Sequence, residues 1–273
     1  MTERPLAPND PCLHKALSQL APGLPLRDAQ SLAGGRTNLV WQIGSVVVKC
    51  HDPAGASPLF PNDPQAEVAA LRLFAPQGLA PRLLAHGKSW LICDHIPRHH
   101  RPATPTDIAR LLHRLHVQSL PEEAAFRTLP NGSAALLAHA RSFAPAGLPP
   151  PPADPGLPPV SPRPVHADVV PGNILSTPAG PILIDWQCPG MGDPAEDLAT
   201  LLSPAMIWLY TGEKPDQGWA EALLHAYPDR ATAERTRALL SLYRWRIMAH
   251  CAWKAARGDA DYAAALKLEL DTP

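Results

Sequence analysis

The chain of 273 residues holds 35 prolines and 17 glycines, close to a fifth of its length and below the roughly 25–30% that marks low-complexity or disordered chains. Hydrophobic residues make up 45%, enough to core one large domain or two lobes and too many for a small disulfide-stapled scaffold. With 24 Lys+Arg against 25 Asp+Glu the net charge is −1, which removes any bulk electrostatic case for nucleic acid or membrane binding and leaves small neutral or polar ligands as the expected partners.

The halves are not balanced: residues 1–165 carry 15 basic and 11 acidic side chains, residues 166–273 carry 9 and 14. Such an acidic surplus reads either as a solvated surface or as metal ligands and a cation-attracting cleft. Cys12, Cys50, Cys93, Cys188 and Cys251 are odd in number, widely spaced and form no C-x-x-C. Neither a disulfide framework nor a zinc knuckle is expected, and a reducing cytoplasm fits best. The N-terminus shows no basic segment before an apolar run, and no stretch approaches the roughly 20 apolar residues of a membrane helix. Nothing bears on oligomeric state.

In chain order, Asn38–Ile43 and Val46–Cys50 are short β-branched and aromatic runs separated by Gly44-Ser45, the pattern of a hairpin. The run from Gln65 to Phe74 has Val68 and Leu71 at helical spacing. Strands are predicted again at Arg82–His86 and Trp90–Asp94. From Thr106 to His116, Ile108, Leu111, Leu112 and Leu115 mark an amphipathic helix with Thr106 as its cap.

Ten of the 20 residues from Pro145 to Pro164 are proline, so this stretch reads as an extended polyproline-like connection: a stiffened surface loop, or a docking site for a proline-recognising partner. Beyond it, the apolar runs at Ile174 and Ile182 flank Thr-Pro-Ala-Gly as a second hairpin. From Pro194 onward the chain reads helical, with a long segment from Thr232 to Arg257 that Gly258 terminates. Within it, Tyr243-Arg-Trp-Arg246 is expected to snorkel at a surface. The histidines at 95, 99, 100, 113 and 116 lack the carboxylate or thiolate support of a zinc site. Gly87-Lys88-Ser89 mimics the end of a Walker A loop, but position 82, where that motif needs glycine, is Arg, so a turn is expected.

The most informative stretch is His166-Ala-Asp168-Val-Val-Pro-Gly-Asn173-Ile-Leu, followed by Ile-Leu-Ile-Asp185-Trp. Two carboxylates and an amide bracketed by apolar strands must be paired or bound to something. Phosphoryl transfer needs such a set: Asp168 to orient and deprotonate an accepting hydroxyl, Asn173 and Asp185 as oxygen ligands for Mg²⁺ at the nucleotide phosphates. Taken singly, His-x-Asp could be chance or a metal-hydrolase fragment and Asp185 a strand-end cap. Jointly, Asp168-x-x-x-x-Asn173 repeats the kinase catalytic-loop spacing, with Asp185 arriving after a hairpin.

On HADVVPGNIL, LIDWQ and GMGDPAEDLA, in that order, the chain resembles the aminoglycoside phosphotransferase and choline kinase family, relatives of the protein kinase fold. Ala167 stands where that family usually has Gly. The resemblance, from about Leu32 on, implies an α+β fold of two lobes: a β-rich N-lobe (1–96) that binds nucleotide, and a mostly helical C-lobe (97–273) that carries the catalytic loop, metal-binding loop and acceptor site, with the Pro-rich insertion 145–164. It also implies cofactor-binding roles: Gly34, Gly35 and Asn38 as a shortened glycine loop, Lys49 paired with Glu67 at the phosphates, and the Asp94 carbonyl and Ile96 N–H on adenine. His166, Asp193 and Asp197 would be structural supports. The activity implied is ATP- and Mg²⁺-dependent phosphorylation of a small-molecule hydroxyl, with the acidic balance favouring a cationic acceptor. The alternative is a kinase-fold protein that binds nucleotide or metabolite without catalysis.

Overall fold

A computed structural model describes residues 11–18, 29–32, 36–121, 124 and 126–271. The chain divides into two compact units: residues up to Arg98 together with Ile182–Cys188, and His99–Pro181 together with Pro189 to the C-terminal end.

Unit 1 is built on a five-stranded antiparallel sheet of β1 (Gln30–Ser31), β2 (Leu39–Ile43), β3 (Val46–Cys50), β4 (Leu83–His86) and β5 (Trp90–Asp94), in the order β1-β2-β3-β5-β4. Gly44, at φ 58°, closes the β2–β3 hairpin in a conformation that costs a side-chain-bearing residue energy. Gly87 donates its N–H to the Trp90 carbonyl at 2.9 Å, so Gly87-Lys88-Ser89 is indeed a turn joining β4 to β5. Helix α1 (Pro11–Leu17) buries Leu13 and Ala16 with Trp41, Ile43, Val48 and Trp90 of the sheet.

Helix α2 (Pro64–Phe74) starts at Asp63, whose carboxylate caps the N–H groups of Gln65 and Ala66 while Pro64 presets the first turn. Val68, Leu71 and Phe74 are buried, and so is Glu67. Phe74 stacks on Trp186 with ring centroids 4.7 Å apart, and the Leu183 N–H donates to the Leu79 carbonyl at 3.1 Å. These contacts fasten the returning segment 182–188 to unit 1.

The expectation of no disulfide is corrected here, because Cys12 of α1 is bonded to Cys50 at the end of β3, with Cα atoms 6.2 Å apart. Spacing along the chain could not show this pair: it forms because a short helix is laid across a strand. The bridge spans 38 residues, and loop-closure entropy gives it about 3–4 kcal/mol. A reductant should therefore lower the unfolding free energy of the wild type by about that amount in urea melts, while leaving Cys12→Ser unchanged; equal losses in both would remove the bridge as the cause.

Unit 2 begins with α3 (Pro105–His116). Its N-cap is Thr104, not Thr106: Thr104 and Asp107 form a reciprocal capping box, and Pro105 occupies the first turn, where its missing N–H costs nothing. Ile108, Leu111, Leu112 and Leu115 are buried as the spacing predicts, and His116 extends the same stripe. Next come β6 (Arg127–Thr128), α4 (Ser133–Phe143) and β7 (Arg163–Val165). After the hairpin of β8 (Ile174–Thr177) and β9 (Gly180–Leu183), β10 (Gly190–Gly192) pairs between β6 and β7. Five helices follow, α5 (Ala195–Leu201), α6 (Pro204–Thr211), α7 (Gln217–Ala226), α8 (Arg230–Ala255) and α9 (Ala260–Asp271).

The proline tract is held by backbone hydrogen bonding, as a segment without ladder partners must be. Trp245 Nε1 donates to the Pro149 carbonyl at 3.0 Å and Arg235 to that of Pro158 at 2.8 Å. Asn131 brackets Val160, accepting its N–H and donating to its carbonyl. The expectation that Tyr243-Arg-Trp-Arg246 lies at a surface fails: Tyr243, Trp245 and Arg246 are buried among α4, α5 and α8. Arg246 tolerates this because it ion-pairs with buried Glu196, the arrangement that lets a guanidinium leave water.

Candidate functional site

In unit 1 the charged groups expected to serve a nucleotide converge on Lys49, at the end of β3. Its ammonium donates to both oxygens of Glu67, at 2.9 and 2.7 Å, and to Asp185. Lys49 and Glu67 are buried, and the Asp185 side chain is 28% exposed. Burial alone would favour neutral Lys49, but the Asp185 and Glu67 charges outweigh it and raise its pKa. Burial likewise works to raise Glu67, and Lys49 and His51 reverse it, so the carboxyl titrates below its ordinary value. His51, two residues beyond Lys49, meets Glu67 through Nε2 at 2.7 Å. It escaped the sequence reading, although residues 49 and 51 lie on one face of an extended chain.

Asp185 sits at φ 63°, a left-handed conformation that Asp tolerates better than most residues and that is concentrated at functional positions. Trp186 anchors it, being wholly buried against Phe74, seven residues past Glu67 on the same face of α2. The β-hairpin therefore delivers the carboxylate, the indole locks it, and α2 supplies both the indole's platform and the lysine's partner.

Asn38 lies in unit 1 as a brace. Its amide bonds Asn62 and Gln187, and its oxygen accepts the Asp52 N–H at 3.0 Å. The sequence reading overlooked Asn62 and Gln187; Gln187 lies two residues after Asp185. Asp94 ends β5 opposite Val46 and receives both Nε and a terminal nitrogen of Arg82 at 3.0 and 3.3 Å; Ile96 follows beyond the ladder. Gly34 and Gly35 lie outside the described residues.

In unit 2 the residues expected to form a catalytic loop gather around Asp197 of α5. Its carboxylate accepts the backbone N–H groups of His166 at 2.9 Å and Ala167 at 2.7 Å. Ala167 is held at φ 60°, which accounts for glycine being the common choice there: an L-residue in this region costs about 1–2 kcal/mol, and the Asp197 bonds offset it. Asp168 follows, 6% exposed. The Asn173 amide nitrogen donates to the Asp168 carbonyl at 2.9 Å, leaving its oxygen as the atom available to a ligand. Gly172 admits no side chain, since a Cβ there would stand 2.4 Å from the Tyr210 ring; α6 thus presses directly on the loop.

His166 is fully buried beneath this turn. Asp193 caps the Ala195 N–H at 3.0 Å and pairs with Arg235 at 2.6 Å, so it links α5, α8 and, through Arg235, the proline tract.

A carboxylate at 185 and an amide oxygen at 173 are hard oxygen donors, suited to Mg²⁺ and unsuited to a soft metal. Among the described residues no group of three or more His, Cys, Asp or Glu side chains is placed to hold a metal. No described helix is long and apolar enough to cross a membrane.

A β-rich unit with a buried Lys–Glu pair and a helical unit with an Asp–Asn loop define a kinase-like α+β phosphotransferase acting on small molecules. A family model described as "phosphotransferase enzyme family" matches residues 28–239, and the chain belongs to that family. It is 27% identical over 220 residues to the thiamine kinase of Shigella boydii, covering 71% of this chain and 72% of that one. Among solved structures it is similar to a choline/ethanolamine kinase family protein from Mesorhizobium loti (TM-score 0.62, 19% identity, 90% and 88% covered). It is similar also to the choline kinase LicA from Streptococcus pneumoniae (0.60, 19%, 95% and 97%). A third neighbour is the streptomycin–ATP ternary complex of APH(2'')-IIa (0.59, 15%, 95% and 94%).

Proposed function

We propose that this enzyme transfers the γ-phosphoryl group of ATP, with Mg²⁺, to the hydroxyl of a small cationic alcohol, thiamine or a compound like it. The observation that carries the reading is Lys49 held between Glu67 and Asp185: a buried cation fixed by one carboxylate, beside a second that is part exposed. A nucleotide phosphate fits such an ammonium, which would neutralise developing charge without reorganising.

Backbone groups at Asp94 and Ile96 would take adenine, and Gly34 and Gly35 would let main-chain N–H groups approach the phosphates. With its amide committed to Asn62, Gln187 and Asp52, Asn38 would steady that loop rather than touch phosphate. Asn173 and Asp185 would hold Mg²⁺, which when bound supplies charge neutralisation at the phosphates. Asp168 would orient the acceptor hydroxyl and accept its proton.

Thiamine and choline, named in the relatives' descriptions, are cationic alcohols, and the surplus of 14 acidic over 9 basic side chains in residues 166–273 suits them. A kinase drawing on cellular ATP belongs in the cytoplasm, where Cys12 and Cys50 would be exposed to reducing thiols.

The test is ADP release with thiamine, choline, ethanolamine and an aminoglycoside as acceptors. Mg²⁺-dependent release, stimulated most by thiamine and abolished by EDTA, is expected. Turnover that ignores Mg²⁺, or that no alcohol stimulates, would overturn the proposal.

A further inference from the structure

The Asp197 carboxylate that shapes the catalytic loop has a third donor, which the loop itself does not explain. His116, at the end of α3, places Nε2 3.0 Å from Asp197 Oδ2, and its Nδ1 lies 2.7 Å from the Tyr227 hydroxyl. His116 is 2% exposed and Asp197 not at all. Tyr227 is the first residue after α7 and is itself buried. An ionised carboxylate only accepts hydrogen bonds, so Nε2 carries a proton and donates to Asp197; in a neutral ring Nδ1 is then the acceptor for the phenol. Burial, with the nearby charges of Asp229, Asp197 and Asp193, raises the Tyr227 pKa, which keeps the hydroxyl protonated and able to donate. With a neutral ring the chain of bonds runs in one direction, from Tyr227 through His116 to Asp197.

We propose that His116 is a positioning residue for phosphoryl transfer. It holds the Asp197 carboxylate in the orientation that fixes the His166 and Ala167 amides, and Tyr227 selects the ring tautomer that can do so. The consequence lies at Ala167. Its left-handed backbone is maintained against an intrinsic cost by a 2.7 Å bond to Asp197 Oδ1, while His166 and His116 share Oδ2. A carboxylate that loses the His116 bond is free to rotate, the turn relaxes, and Asp168, the next residue, leaves its place. On α3, His116 lies four residues after Leu112 on the buried stripe, where a histidine needs polar partners. The proposal rests on Asp168 being the residue that addresses the acceptor.

Two substitutions separate positioning from packing. The amide nitrogen of His116→Gln reaches the Nε2 position and can still donate to Asp197; that of His116→Asn stands near Nδ1 and cannot. With thiamine and ATP as probes, His116→Asn should lose about 10–100-fold in kcat, the range found when an outer support of a reactive group is removed. Its KM for ATP should stay within about twofold, and His116→Gln should recover most of the rate. Hydrogen exchange at the Ala167 amide, read in the same variants without any substrate, should accelerate in His116→Asn and not in His116→Gln.

Equal rates and equal exchange in the two variants would overturn the proposal, whether both resemble wild type or both are impaired. The exchange measurement does not depend on the acceptor. A difference in exchange with no difference in turnover would show that His116 holds the loop but that Asp168 does not address the acceptor; that outcome rejects a catalytic consequence for His116.

Discussion

Replacing Asp168 by Asn should lower kcat by about 10²–10⁴-fold, the contribution of a positioned general base, while leaving the KM for ATP and the melting temperature close to wild type. The asymmetry follows from the local bonding. The Asn173 side chain donates to the backbone carbonyl of residue 168, not to its carboxylate, and the turn before it is held by Asp197 through the amides of His166 and Ala167. Asn has the size and shape of Asp, so the variant keeps these backbone bonds while losing the charge and basicity of the carboxylate. Steady-state ADP release with thiamine, together with a thermal melt, checks both halves. An active variant would show that Asp168 is not the residue that addresses the acceptor, and an unstable one that its carboxylate is structural.

The second large effect is on stability. Lys49→Met leaves the Glu67 carboxylate, 3% exposed, and that of Asp185 without their shared cation. Breaking a buried ion pair from one side costs about 3–5 kcal/mol, and nucleotide binding should weaken with it. Adding Glu67→Gln to Lys49→Met should restore much of the stability and none of the activity, since the neutral amide no longer needs a cation. The pH dependence has a defined sign. In the wild type the Glu67 carboxyl titrates below the ordinary 4.5, so its contribution is complete above that value and lost as the pH falls through the lowered one. The stability difference between wild type and Lys49→Met should therefore narrow below pH 4.5 in denaturant titrations; a gap that widens there would contradict the assignment.

The unequal legibility of the two units has a chemical origin. The Asp168–Asn173 loop and Asp185 stood out because they carry, at short spacings, the residue types that phosphoryl transfer would need, and the β2–β3 hairpin and α3 because alternation and helical periodicity are local signals. Thr104 displaced Thr106 as the cap of α3 because Asp107 then stands at the third helical position and closes a reciprocal capping box, with Pro105 at the first; apolar periodicity does not register such a side-chain pairing.

Arg246 is the opposite case. A Tyr-Arg-Trp-Arg run on a long helix has the composition of a surface, and only the approach of Glu196 from α5, 50 residues away in sequence, makes burial affordable. The same holds for His116 with Asp197 and Tyr227, for His51 on Glu67 and for Cys12 with Cys50: each is a polar or reactive side chain whose partner lies on another element.

Motif spacing and the family resemblance it carries were sufficient for the kinase-like class, because those constraints act along the chain within a few residues. Tertiary structure alone decided the partners beyond these: Asp185 and His51 joining the Lys49–Glu67 pair, His116 on the Asp197 carboxylate, and the segment 182–188 that returns to the sheet unit. Pairing in a low-dielectric interior is set by distance in space, and a buried charge persists only where the fold brings its complement within hydrogen-bonding reach.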